Sequence, residues 1–273
     1  MVNLSFHKSP AGNEVFEAGT RMLLVEAGPA QLTALLWNLS SKTIDGIEVF
    51  SGISNWEADF PIMLQLSQLL NFRELETEVV FNSEWVLPVP AFLYEKDSVQ
   101  QQLSVLYPET REALYFGGDV LPGQEMIMCW EAPEKWVRIL RDHFAMVRFQ
   151  SIATLLLKVT GLGQNEMQEG LLVIADPWAW VVFRRSGQLL CIRPLPILYP
   201  DDVSYFLLNL GKQWGVEPAE ISWRVAGMIE PDAPLWQSPY RFFEQFHLWE
   251  GEKQSDEIPA HFFAHYLQYL SSR

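Results

Sequence analysis

The segment Leu23-Leu-Val-Glu-Ala-Gly-Pro29 returns 148 residues later as Leu171-Leu-Val-Ile-Ala-Asp-Pro177, with five of seven positions identical. An internal repeat constrains a fold more strongly than any local propensity, because each copy must solve the same packing problem. The two copies are also followed by the same order of elements. After the first, Ala30–Trp37 alternates like a strand, Asn38–Lys42 is a polar turn, and Ile44–Ile53 is apolar again. Asp59–Leu70 then has helical spacing, with Asp59 as N-cap and Pro61 in the first turn, and Glu78–Phe81 is another strand. After the second, Trp178–Phe183 is a strand, Arg184–Gln188 a turn and Leu189–Pro194 a strand. Asp202–Trp214 is a helix ending near Gly215, and Glu220–Ala226 is the next strand. Each half therefore reads strand, strand, strand, helix, strand.

The remainder of each half is alike in outline. Asp97–Leu106 and Pro133–Phe144 are expected helices around a strand at Met126–Trp130. In the second half Ser238–Phe246 and Pro259–Leu270 are expected helices around a short strand at His247–Trp249. Phe149–Val159 is an apolar bridge and Thr160–Asn165 its loop, so the expected domains are 1–150 and 151–273.

A three-strand meander, a helix and a further strand is the ribonuclease-H-like layout, and two such units in tandem are the actin-like ATPase architecture. The chain resembles an uncharacterised family of Bacteroidetes-type bacteria with this duplicated fold. The resemblance implies an α/β protein of two tandem ribonuclease-H-like domains, each a mixed five-stranded sheet flanked by helices.

Active members of that superfamily carry an Asp-x-Gly turn after the first strand of each half, whose amides approach phosphate while the Asp sits near a divalent metal. Here the turns read Glu26-Ala27-Gly28-Pro29 and Asp176-Pro177-Trp178. Each keeps half of the pattern, and each places a proline, which has no N–H, where donors are wanted. A third superfamily feature, a glycine pair under the base and ribose, survives as Ala226-Gly227. Glu26, Gly28, Asp176 and Gly227 are thus candidates for a vestigial nucleotide site, and the expected protein is a pseudo-ATPase without cofactor. The alternative is a nucleotide-binding ATPase or phosphotransferase using ATP with magnesium.

Other chemistry is weaker. His261 and His265 have the i, i+4 spacing of metal ligands, but no zincin glutamate lies between them, and a solvated helix edge is the better expectation. A ribonuclease-H-type nuclease would need Glu84 and a third acid beside Glu26. The charge also opposes nucleic acid: 19 basic against 34 acidic side chains give −15, spread over both halves. The same balance disfavours an anionic membrane surface. No apolar run reaches the ~18 residues of a membrane span, and no signal peptide is visible. Cys129 and Cys191 sit in apolar runs as expected free thiols, which suits a reducing, cytoplasmic setting. Eleven tryptophans are many for 273 residues. Trp56, Trp85, Trp178, Trp180 and Trp236 flank prolines or charges and are candidates for a surface that binds a protein partner.

Overall fold

A computed structural model describes residues 1–8, 19–108, 113–121, 123–160, 168–251 and 258–273. The chain divides into two compact units, Met1–Thr154 and Leu155–Arg273.

In the first unit the strands are β1 (Asn3–Lys8), β2 (Arg21–Ala27), β3 (Gln31–Asn38) and β4 (Thr43–Ser51). After them come α1 (Trp56–Leu66), β5 (Glu76–Phe81), β6 (Val86–Pro90), α2 (Lys96–Leu106), β7 (Leu114–Leu121), β8 (Met126–Pro133), α3 (Glu134–His143) and β9 (Met146–Ser151). The main sheet has the order β1-β4-β3-β2-β5-β9. Helix α4 (Ile152–Val159) carries the chain across the division. The second unit holds β10 (Gln168–Ala175), β11 (Trp178–Arg185), β12 (Gln188–Pro196), α5 (Pro200–Trp214), β13 (Ile221–Gly227), α6 (Pro234–Tyr240), β14 (Gln245–Leu248) and α7 (Ala264–Ser271). Its sheet order is β12-β11-β10-β13-β14. Apart from β1, the two sheets have the same order and the same mixture of antiparallel and parallel pairs. The fold is α/β and duplicated.

The repeated segment forms the central strand of each sheet. β2 pairs antiparallel with β3 and parallel with β5, and β10 does the same with β11 and β13. A strand covered on both faces reads as a continuous apolar run, which is what Leu23–Val25 and Leu171–Val173 are. β1 differs. Its residues alternate between half-buried and exposed along the outer edge of β4, so the first sheet has six strands rather than the expected five.

Between β5 and α3 lies a small three-stranded sheet, β6-β8-β7, covered by α2. The sequence reading found only β8 and α2 of it. The apolar bridge resolves into β9, the fifth strand, and α4; the loop that follows lies, beyond Thr160, outside the described residues.

Helix limits shift for identifiable reasons. The cap of α1 is Asn55, whose side chain accepts the Glu57 N–H at 3.1 Å. Asp59 sits inside the helix and reaches back to the Ser54 and Asn55 amides, both at 2.9 Å. Pro61 is therefore interior. The helix stops at Leu66 because the buried Glu48 carboxylate takes the amides of Gln68 (2.7 Å) and Leu69 (3.3 Å). In the second unit the expected helix over 238–246 is α6 followed by β14, and α7 begins at Ala264 rather than at Pro259.

In both units a glycine makes room for a cross-strand indole. Gly170 lies opposite Trp223, and a Cβ there would stand 2.1 Å from the ring; Gly117 faces Trp130 with 2.2 Å. Trp223 is fully buried, stacked on Phe183 and edge-on to Phe243 at 6.0 Å each. Gly170→Ala must displace this ring, and overpacking of this kind costs about 1–3 kcal/mol. Urea denaturation should show a lower midpoint at unchanged slope; an unaltered midpoint would refute the packing argument.

Candidate functional site

Glu26 is the penultimate residue of β2 and is buried. Asn82, one residue beyond β5, donates from Nδ2 to its Oε1 at 2.7 Å. The Asn82 amide also closes onto the Ala27 carbonyl at 2.9 Å, which continues the β2–β5 ladder. Burial pushes the Glu26 carboxyl up from 4.5 to about 7, against the smaller lowering effect of the Asn82 bond. On the same sheet face, Glu78 accepts a bond from Gln150 Nε2, with Thr33 directly across from Glu26. This row of buried carboxyl, amide and hydroxyl groups crosses β3, β2, β5 and β9. Sequence reasoning missed Asn82 and Gln150; the only signal was their place at strand ends after an apolar run.

Gly28 opens the turn between β2 and β3. Its N–H donates to the Gln31 carbonyl at 2.9 Å, and its own carbonyl accepts the Trp56 indole N–H at 3.0 Å. A Cβ at Gly28 would lie 3.2 Å from Gln31 O and 3.5 Å from Asn82 Cβ. The close approach that selects glycine here is to the protein's own chain.

Asp176 and Pro177, joined by a cis peptide bond, form the two-residue turn between β10 and β11. Asp176 is exposed, whereas Glu26 is buried. In the repeat register Glu26 matches Ile174 and Asp176 matches Gly28. The two acids therefore do not occupy equivalent places: one is in a strand, the other in a turn. Trp178 is half-buried on β11, opposite Pro196.

Gly227 ends β13 at φ +111°, and a Cβ there would stand 2.2 Å from the Ile174 carbonyl oxygen. Its N–H donates to His261 O at 3.0 Å and its carbonyl accepts the Ile229 N–H at 2.8 Å. The His261 ring bonds the Ile229 carbonyl at 2.8 Å. Both histidines are buried, which corrects the solvated edge expected for them, and His261 precedes α7, so they do not share a helix. Burial drives the His265 ring down to about 3. Among the described residues no three His, Cys, Asp or Glu side chains are grouped to hold a metal ion, so Glu84 and Glu26 gain no third ligand.

Residues 12–246 match a family described as "Protein of unknown function (DUF3822)". The chain belongs to this family. No curated protein matches it in sequence. In structure it is similar to a Bacteroides thetaiotaomicron protein with actin-like ATPase fold and unknown function, at TM-score 0.76 and 13% identity over 93% of this chain and 96% of that one. It is also similar to a chain of the PilM-PilN type IV pilus biogenesis complex, at TM-score 0.56 and 13% identity over 92% and 98%. The fold of this DUF3822 member is that of the actin-like ATPases. Among its described residues no helix is long and apolar enough to cross a membrane.

Of the five tryptophans expected at a surface, Trp56, Trp180 and Trp236 are buried and Trp85 and Trp178 half-buried, so they form no exposed cluster.

The raised Glu26 carboxyl fixes a sign for pH dependence. The folded chain holds this proton up to about pH 7 while the unfolded chain releases it near 4.5, so its contribution to stability falls as pH rises through that window. Glu26→Gln keeps an acceptor for Asn82 and removes the charge. It should stabilise the protein by up to about 3 kcal/mol at pH 8, and by little at pH 5. Equal effects of the substitution at both pH values would show that Glu26 is not buried as a neutral acid.

Proposed function

We propose that this protein is a degenerate member of the actin-like fold that works by binding another protein and not by turning over a nucleotide. The observation that carries the reading is the fate of the amides. Phosphate binding on this fold depends on free N–H groups at the turns. The Gly28 N–H is bonded to Gln31, the Gly227 N–H to His261, and Pro29 and Pro177 have none. Both glycines are accounted for by contact with the protein's own backbone. Glu26 is tied to Asn82 and, among the described residues, is not grouped with other metal ligands.

A charge of −15 supports a protein partner over nucleic acid or an anionic membrane. The PilM-PilN complex supports the reading to the extent that a related fold is found there in a two-protein assembly. Cys129 and Cys191 are free thiols, and we assign the protein to the reducing cytoplasm on that ground.

Calorimetric titration with ATP and magnesium, paired with a thermal-shift measurement, tests the reading. A ligand that binds only the folded state raises its apparent stability. The expected result is no heat and no shift at millimolar ATP. Micromolar binding that weakens on Asp176→Ala would overturn the proposal in favour of an ATPase or phosphotransferase, with Glu26 and Asp176 at the metal and Gly28 and Gly227 at phosphate and ribose.

A further inference from the structure

We propose that the turn Ala91–Leu93, together with Glu95, Asp97 and Glu125, docks a basic, apolar segment of a partner protein. This rests on the interaction reading above and names its surface and the chemistry of its partner. The turn joins β6 to α2 on the small three-stranded sheet. Phe92 is 84% exposed and Leu93 61%, side by side. Neighbouring exposed apolar side chains of this size mark interaction sites more often than solitary ones do.

The turn is held in place rather than loose. The Ala91 N–H donates to the Glu125 carbonyl at 2.8 Å and the Tyr94 N–H to Ala91 at 3.3 Å. Tyr94 then packs on the cluster of Val89, Val99, Leu103 and Cys129. Two apolar side chains on an anchored backbone lose little freedom when a partner covers them.

Charge selects the partner. Glu95, Asp97 and Glu125 are all exposed around the turn. Lys96, the cation between Glu95 and Asp97, lies over the Phe116 ring at 5.9 Å. From Ser83 to Pro133 the chain carries eight acidic side chains against two basic ones. A second copy, at −15, would meet this rim with like charge. A segment with Lys or Arg beside apolar residues matches both the acids and the Phe92–Leu93 pair.

Two synthetic amphipathic peptides of equal length, one of Leu and Lys and one of Leu and Glu, provide the probe, read by fluorescence anisotropy against the full chain. The Leu/Lys peptide should bind and the Leu/Glu peptide should not. A Phe92→Ser, Leu93→Ser double variant leaves the charge unchanged and should weaken binding about tenfold or more. Glu95→Lys, Asp97→Lys and Glu125→Lys together should shift the preference towards the Leu/Glu peptide. All these positions are exposed, and unchanged thermal melting would show that the variants fold. Binding that survives the double variant would overturn this surface while leaving a partner-binding role intact elsewhere. Sedimentation showing a dimer abolished by the same variant would assign the turn to a second copy and also overturn it. Micromolar ATP binding in the preceding experiment would remove the interaction reading itself.

Discussion

Parallel pairing of the central strands, β2 with β5 and β10 with β13, is the constraint on which both units depend. Parallel partners need a crossover, and the crossover helix lies on the sheet. That helix covers one face of the central strand; the unbroken burial of Met22–Ala27 shows that the other face is covered too, and the strand is correspondingly apolar. It also brings the C-terminal ends of the paired strands to one edge, so the turn after β2 meets Asn82, and the end of β10 meets Gly227. Glu26, Gly28, Asp176 and Gly227 lie at those edges because of this geometry. A ligand is not needed to explain their proximity.

That edge differs between the two units in a way burial explains. In the first unit a carboxyl has been drawn into the strand and buried, and an amide side chain from the neighbouring strand end satisfies it. A carboxylate meant to hold a divalent cation would need several oxygen ligands around the ion; a carboxyl raised to about 7 by burial is suited to being neutral and hydrogen-bonded. In the second unit the acid lies in the turn, exposed, while Gly227 at the end of β13 is pressed against the Ile174 backbone. The acid and the glycine of the two turns thus stand at positions that do not match in register.

What was legible in the sequence follows from which residues are forced by the sheet. The repeat showed because a strand buried on both faces tolerates few substitutions, so Leu-Leu-Val survived in both copies. The edge strand β1 and the proline-bearing β6 were not legible, since edge and small-sheet strands carry mixed, short patterns. The end of α1 was misplaced because a distant side chain meets the chain there: Glu48 on β4 takes the amides just beyond Leu66, and no local pattern announces it. The candidate acids Glu26 and Asp176 could be named from the sequence, but not that one is buried and the other exposed. Burial depends on where the strand ends and the turn begins, and a two-residue difference in register decides it.

Duplication also supplies a control within one molecule. The second unit passes from β13 to β14 through a single helix, while the first passes from β5 to α3 through a helix and a three-stranded sheet. The shared part of the fold needs no such insertion to close its sheet, as the second unit demonstrates. An element dispensable for the fold, held in place by its own small core, and bearing two outward apolar side chains in an acidic surround, is difficult to explain by stability. Phe92 and Leu93 stay 84% and 61% exposed and so gain little from burial where they stand. The exposed Phe92–Leu93 pair on this insertion is therefore the place where the proposed partner interaction meets its most direct test.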